Sequence, residues 1–183
     1  MSRSNQHIIF IGFKNAGKTV IGKEVATRLK RPFIDLDKEI EKLYAEQLNE
    51  ALSCREISKR HGETFFRDLE VKALQEVIHV QPSVIALGGG APLREENRLL
   101  LKPHILIYLT ASPEIVFQRI MAGGIPSFFE EEDPLGSFKS LWAQRQQVYQ
   151  DLAVLTIDNS GDVQDAIQEI LEKLTVICKE ENQ

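Results

Sequence analysis

The chain has 183 residues, of which 43% are hydrophobic, enough to bury one core of ordinary size, so we expect a single domain. Its net charge of −5 argues against nucleic-acid and anionic-membrane partners, because both require a basic surface that no segment supplies. No apolar run could span a membrane and residues 1–6 are polar, so we expect a cytoplasmic protein. Cys54 and Cys178 lack metal-site spacing, so we expect reduced thiols. We also expect a monomer.

The first predicted element is an apolar strand that begins at His7 and runs into Gly12–Thr19, here called the phosphate loop. This segment matches G-x-x-x-x-G-K-[ST] at every fixed position, a pattern in which backbone N–H groups bind a polyphosphate. Lys18, expected on a solvent-facing loop, would pair with the β- and γ-phosphates, and the Thr19 hydroxyl would face Mg²⁺. An ordinary turn before a helix is the alternative. The chain has no N-K-x-D pattern for guanine, so the predicted nucleotide is ATP.

A helix over Val20–Leu29 and a short strand at Phe33–Asp35 follow, which completes a β-α-β unit. Residues 38–52 have apolar side chains at helical spacing. A capping box at Ser53 starts another helix, which we expect Gly62 to end.

Strands and helices alternate over the rest of the chain. The further predicted strands are Ser83–Leu87, His104–Leu109 and Val154–Ile157. The further predicted helices are Phe65–Val80, Glu95–Lys102, Ser112–Ala122, about Ser137–Tyr149, and a last amphipathic helix from Val163 to Cys178. This alternation predicts an α/β fold with a doubly wound, five-stranded parallel sheet, whose ligands bind at the carboxyl ends of the strands.

Residues 123–136, here called the lid segment, interrupt the alternation. Their sequence, GGIPSFFEEEDPLG, has glycines at both ends, two prolines, two adjacent phenylalanines and four acids. Loops of this length in compact domains tend to be functional or disordered, and we interpret this one as a mobile lid. An ordinary solvated loop is the alternative.

Two acids follow the predicted strand Phe33–Asp35 at the edge where ligands are expected. Asp35 is placed to reach the metal, and Asp37 is placed to face a substrate hydroxyl. Asp37 could instead be the N-cap of a helix that begins at Lys38.

Several segments resemble shikimate kinases in order and spacing, and the resemblance covers nearly the whole chain. The segments are GFKNAGKTVIGKEVATRL, PFIDLDKEIE, HGETFFRDLE, ALGGGA, IYLTASPEIVFQRI and AQRQQVY. The resemblance implies a P-loop kinase of the nucleoside-monophosphate-kinase fold. Such an enzyme uses ATP and Mg²⁺ to phosphorylate the 3-hydroxyl of shikimate in aromatic amino-acid biosynthesis.

The resemblance also implies which residues form the site, with Lys18 and Asp37 as the catalytic pair. The implied substrate site consists of Asp37, Arg67, Gly89, Gly90 and Arg145. The implied nucleotide site consists of Gly12, Asn15, Ala16, Gly17, Lys18, Thr19, Val20 and, beside the adenine, Arg119. The implied metal ligands are Thr19 and Asp35.

The residue types agree with these assignments, because guanidinium groups such as those of Arg67 and Arg145 suit a carboxylate. Other interpretations stay open. Glu63, Arg67 and Glu70 could form a surface ion-pair ladder, Arg119 and Arg145 could be solvated helix residues, and residues 88–90 could be only a turn.

The lid segment departs from the family pattern. Shikimate kinases usually carry an arginine there, in an R-P-L-L segment, whereas this chain has Ile125-Pro126-Ser127. The phosphate loop has Lys14 where an apolar residue is more common. A lid cation stabilises the transferring phosphoryl group, so three hypotheses follow: a shikimate kinase, a catalytically weak nucleotide-binding regulatory relative, or a kinase of another small hydroxy acid.

Overall fold

A computed structural model describes residues 5–126 and 128–180. The strands in this part of the chain are β1 (Ile8–Ile11), β2 (Phe33–Asp35), β3 (Val84–Ala86), β4 (Ile105–Thr110) and β5 (Leu155–Asp158). The helices are α1 (Lys18–Leu29), α2 (Leu36–Leu48), α3 (Cys54–Val77), α4 (Glu95–Leu101), α5 (Pro113–Met121), α6 (Pro134–Leu152) and α7 (Val163–Glu180). A 3₁₀ turn at Ala91–Leu93, which the sequence analysis did not predict, lies between β3 and α4.

The five strands form one parallel sheet in the order β2-β3-β1-β4-β5, which confirms the predicted fold. The central strand β1 is buried on both faces. Ile9 and Ile11 pack with residues of α2, α3, α5 and α6, whereas Ile8 and Phe10 pack with α1 and α7. Because helices cover both faces of the sheet, we expect ligands to bind at the carboxyl ends of its strands.

Several boundaries differ from the predicted ones. Helix α2 begins at Leu36 and ends at Leu48, because Asn49 takes a left-handed conformation with φ of 53°. The capping box at Ser53 is confirmed: the Ser53 hydroxyl accepts from the backbone N–H of Glu56, and the Glu56 carboxylate accepts from the Ser53 N–H.

Gly62 interrupts α3, as the sequence predicted, with φ of 84° and ψ of 168°. A helical assignment nevertheless continues through Val77, so α3 consists of two helical segments joined at a break. A methyl group at Gly62 would meet no atom within 4 Å, so the break reflects backbone conformation and not crowding.

The end of the lid segment is helical. Asp133 caps α6 by accepting from the Gly136 N–H at 2.8 Å, and Pro134 occupies the first turn, so α6 begins earlier than the predicted Ser137. Phe129 is buried in the core, whereas Phe128 is half exposed. Within the described residues, no helix is both long and apolar enough to cross a membrane.

Candidate active site

The phosphate loop joins β1 to α1, and its two signature glycines have conformations that suit only glycine. Gly12 has φ of 138° and Gly17 has φ of 103°. A side chain at Gly12 would collide with the Leu109 carbonyl of β4, and a Cβ at Gly17 would lie 2.6 Å from Nδ2 of Asn159. Both positions therefore require glycine for backbone conformation and for space.

Lys18 is the first residue of α1, and its ammonium group folds back onto the phosphate loop. Its Nζ donates to the carbonyl oxygens of Gly12 at 2.9 Å and Phe13 at 2.6 Å. The expectation of a solvent-facing lysine was wrong, since only 8% of Lys18 is exposed. Burial lowers the pKa of Lys18 to about 8, although the charges of Asp37 and Asp35 oppose the shift.

Thr19 and Asp35 lie together, as the predicted metal site requires. The Thr19 hydroxyl donates to Oδ2 of Asp35 at 2.9 Å. Magnesium usually keeps several waters and takes one or two protein oxygens beside the phosphates, so this pair suits it. Among the described residues no group of three or more His, Cys, Asp or Glu is arranged to hold a metal ion.

Asp35, and not Asp37, caps helix α2. Oδ1 of Asp35 accepts from the Asp37 N–H at 3.1 Å, so the alternative reading of Asp37 as the N-cap was wrong. The helix begins at Leu36, which places Asp37 in its first turn, and the Asp37 carboxylate lies beside Gly88. The residue as a whole is exposed, yet its carboxyl group is partly desolvated by neighbouring atoms. This desolvation and the nearby Asp35 raise the pKa of Asp37, which makes it a better proton acceptor than an ordinary aspartate.

Gly88–Gly90, here called the glycine turn, follow β3 and bring three predicted substrate residues together. A Cβ at Gly88 would lie 2.9 Å from Oδ1 of Asp37. A Cβ at Gly89 would lie 3.6 Å from Nη1 of Arg145, and one at Gly90 would collide with the guanidinium of Arg67. The turn therefore packs against one carboxylate and two guanidinium groups.

The ion pairs of the alternative ladder through Arg67 exist, but Arg67 and Glu70 are largely removed from the surface. Nε of Arg67 pairs with Glu63 at 2.7 Å, and Nη1 pairs with both carboxylate oxygens of Glu70 at 2.9 Å. The side chain of Glu70 is 1% exposed and that of Arg67 is 24% exposed. Burial raises the pKa of Glu70 to about 7, although Arg67 opposes the shift. The two acids thus hold the Arg67 guanidinium against the glycine turn.

Arg145 lies on α6 and is not a fully solvated residue. Its Nε is buried and makes no hydrogen bond within the described chain. Its Cζ lies 5.9 Å from the ring centroid of Phe128 in the lid segment. Tyr149, one turn further along α6, donates its hydroxyl to the Gly89 carbonyl. Helix α6 is therefore attached to the glycine turn beside Arg145.

Arg119, on α5, contacts the phosphate loop at Asn15. Its Nη2 donates to the Asn159 carbonyl at 2.9 Å, and its own carbonyl accepts from Nδ2 of Asn15 at 2.8 Å. Nδ2 of Asn159 donates in turn to the Ala16 carbonyl at 2.9 Å. Val20 of α1, also predicted in the nucleotide site, is exposed. Asn159 was not predicted from the sequence. Its position directly after β5, at the carboxyl edge of the sheet, was the signal that could have identified it.

The phosphate loop after β1, together with a facing cluster of one carboxylate and two guanidinium groups, defines a P-loop small-molecule kinase. A sequence model of the family described as shikimate kinase matches residues 14–175. A shikimate kinase of Neisseria gonorrhoeae is 33% identical over 176 residues, which cover 96% of this chain and 99% of that one. The shikimate kinase of Caldanaerobacter subterraneus subsp. tengcongensis is 35% identical, covering 92% of this chain and 94% of its own length.

A solved structure, that of shikimate kinase from Acinetobacter baumannii in complex with shikimate, superposes with a TM-score of 0.85 at 31% identity. It covers 95% of each chain. The chain described here belongs to the shikimate kinase family.

Proposed function

We propose that this protein transfers the γ-phosphoryl group of ATP to the 3-hydroxyl of shikimate, a step of aromatic amino-acid biosynthesis. The observation that carries the proposal is the glycine turn, where Asp37, Arg67 and Arg145 converge beside the phosphate loop. A carboxylate and two guanidinium groups suit a substrate that has both a hydroxyl and a carboxylate. The structural relative from Acinetobacter baumannii, which is in complex with shikimate, adds support.

In the proposed reaction, Arg67 and Arg145 bind the substrate carboxylate and Gly89 and Gly90 let the ring approach the backbone. Asp37 orients the substrate hydroxyl and accepts its proton as the oxygen attacks the γ-phosphorus. The new oxygen–phosphorus bond forms while the bond to the β-phosphate oxygen breaks, and ADP leaves with the bonding electrons. Catalysis is then mainly positioning and electrostatic stabilisation.

On the nucleotide side, the backbone of Gly12, Asn15, Ala16, Gly17 and Val20 surrounds the phosphates and Arg119 lies beside the adenine. Lys18 turns from the loop carbonyls to the β- and γ-phosphates. Thr19 and Asp35 would hold Mg²⁺, which would supply positive charge to neutralise the phosphates.

Measurement of ADP release with shikimate and with a panel of other hydroxy acids tests the proposal. We expect turnover that requires shikimate, ATP and Mg²⁺ together. Turnover with a different hydroxy acid alone would favour the kinase of another substrate. ATP binding by calorimetry without turnover on any acid would favour the nucleotide-binding regulatory relative, which the lid segment motivates because it has no lysine or arginine.

We also propose that the enzyme is a cytoplasmic monomer that acts on small molecules and not on nucleic acid or membranes. The net charge of −5 supports the part of the proposal that excludes nucleic-acid and membrane partners. Sedimentation at micromolar concentration should give a mass close to the 20.8 kDa of one chain.

Replacing Arg67 with alanine should raise the KM for shikimate about 10- to 100-fold, because a charge-assisted hydrogen bond contributes roughly 1.5–3 kcal/mol. The KM for ATP should stay within about twofold, since Arg67 faces the glycine turn and not the phosphate loop. Steady-state kinetics with each substrate varied in turn measures both values. Lys72→Ala, an exposed charge loss on the same helix, is the control. Equal effects on both KM values would mean that Arg67 serves only as a structural ion-pair partner.

Replacing Ile125 with arginine should raise kcat about tenfold with little change in either KM, because a cation that touches only the transferring phosphoryl group acts in the transition state. Ile125 is 38% exposed in the lid segment, so the longer side chain has room. Val176→Arg adds the same charge at an exposed position of α7, a helix outside the candidate site, and should leave kcat unchanged.

An Ile125→Arg variant no faster than the parent enzyme would mean that another cation already serves the phosphoryl group. Lys14 is the first candidate, since it is exposed on the phosphate loop and its charge acts to lower the pKa of Asp37. Lys14→Ala should then reduce kcat.

A further inference from the structure

Phe13 of the phosphate loop stacks on Trp142 of α6. The two rings are nearly parallel, with 10° between their planes and 4.5 Å between their centroids. Phe13 also meets Tyr149 edge to face, at 5.4 Å between centroids. Only 4% of Phe13 is exposed. A residue at a variable position of the phosphate loop is thus packed against a helix from a distant part of the chain.

The stack joins the two halves of the proposed site. On the nucleotide side, the carbonyl of Phe13 accepts a hydrogen bond from the Lys18 ammonium at 2.6 Å. On the substrate side, Trp142, Arg145 and Tyr149 follow one another at i, i+3 and i+7, so they share a face of α6. Tyr149 is hydrogen-bonded to Gly89 of the glycine turn. A chain of direct contacts therefore connects Lys18 to the helix that carries Arg145.

A bound phosphate competes with the Phe13 carbonyl for the Lys18 ammonium. When that hydrogen bond is lost, the Phe13 backbone can move, and the stacked ring transmits the movement to Trp142. Because the packed aromatic rings do not deform continuously, the response is a shift of α6 and of the Arg145 guanidinium. The reverse also holds, since coupling between two binding sites is reciprocal.

We propose that Phe13 and Trp142 are positioning residues that couple nucleotide binding at the phosphate loop to substrate-carboxylate binding at Arg145. The inference rests on the proposed function for the identity of the second ligand. The stacking energy of an aromatic pair limits the coupling to a change in affinity of about two- to tenfold.

The test is the dissociation constant of shikimate, measured by calorimetry with and without saturating MgADP. In the wild-type protein we expect the two values to differ by about two- to tenfold, and the affinity for ADP to change by the same factor with shikimate. Trp142→Phe keeps a stacked ring and should keep the ratio. Trp142→Leu and Phe13→Leu remove the stack and should bring the ratio close to one.

Phe117→Leu is the control for a merely structural effect. Phe117 belongs to the same aromatic cluster, since its ring centroid lies 5.3 Å from that of Phe138, but it is not part of the stack of Phe13 and Trp142. This variant should lower Tm and leave the coupling ratio unchanged. A wild-type ratio of one, or an unchanged ratio in Trp142→Leu, would overturn the proposal.

A second arm does not depend on shikimate. Trp142 is the only tryptophan of the chain, so its fluorescence reports directly on the stack. MgADP alone should change the emission of the wild-type protein, and the change should be absent in Phe13→Leu. If shikimate does not bind under any condition, the proposed function fails, but the fluorescence measurement still tests whether the nucleotide acts on the stack. If bound MgADP does not change the emission of Trp142, the proposed coupling is overturned.

Discussion

Lys18→Ala should lower kcat/KM for ATP about a thousandfold, which corresponds to roughly 4 kcal/mol of transition-state stabilisation. The ammonium group is already on the phosphate loop and largely removed from water, so its charge acts at short range through a poorly screened environment. Alanine offers no donor and no charge. The phosphate loop would keep its backbone N–H groups, so we expect weak ATP binding to persist.

The fold should survive this substitution. The change leaves the carbonyls of Gly12 and Phe13 without their ammonium donor, but it also removes a desolvated charge, and these effects oppose each other. Circular dichroism and Tm identify an unfolded variant, and Lys23→Ala, an exposed change on the same helix, should have wild-type activity. Wild-type turnover in Lys18→Ala would contradict the phosphate-loop assignment.

The same lysine predicts a pH effect on ATP binding. Burial lowers the pKa of Lys18 to about 8, so the free protein loses this positive charge as the pH rises above that value. ATP affinity should therefore decline above pH 8 in the wild-type protein and show no such decline in Lys18→Ala. Calorimetry between pH 7 and 9 measures the difference.

Asp37→Asn should reduce kcat about 10²- to 10⁴-fold, the usual contribution of a general base. Asparagine keeps the size of the side chain beside Gly88 and can still orient a hydroxyl, but it cannot accept the proton. The KM for ATP should change little. In the wild-type enzyme the acid limb of kcat/KM should lie above the range of an ordinary aspartate, because desolvation and Asp35 raise the pKa of Asp37 in the free protein.

Glu46→Gln, at an exposed position of the same helix α2, is the matched control and should leave kcat unchanged. If Asp37→Asn retained a third or more of wild-type kcat, Asp37 would orient the hydroxyl and the proton would leave by another route.

The sheet and the phosphate loop could be predicted because their signals are local. The strand pattern is a short run of apolar residues such as Ile8–Ile11, which all become buried. The loop pattern places glycine at 12 and 17, and both positions have positive φ. Each of these features depends on residues that are close together in the chain.

The features that the sequence did not reveal depend on the exact start of a helix, on the direction of a side chain or on a contact between distant segments. Asp35 and Asp37 look alike in sequence, and only the start of α2 at Leu36 decides which of them caps the helix. The inward turn of the Lys18 side chain and the contact of Asn159 with Ala16 require the folded loop. The position of Asn159 after a strand could have marked it as a candidate, but it could not have shown which group it contacts.

The break at Gly62 has a consequence for how such a kinase can change during evolution. The segment before the break packs on α2, where Nε2 of His61 lies 2.9 Å from the Tyr44 hydroxyl. The segment after it carries Arg67 and is anchored by the buried Leu69. Because α3 is interrupted at Gly62, we expect substitutions before the break to disturb the Arg67 guanidinium less than substitutions after it, although Ser58 contacts Glu63 across the break. The first half of α3 should therefore tolerate more substitutions than the second, which carries the proposed contact to the substrate carboxylate.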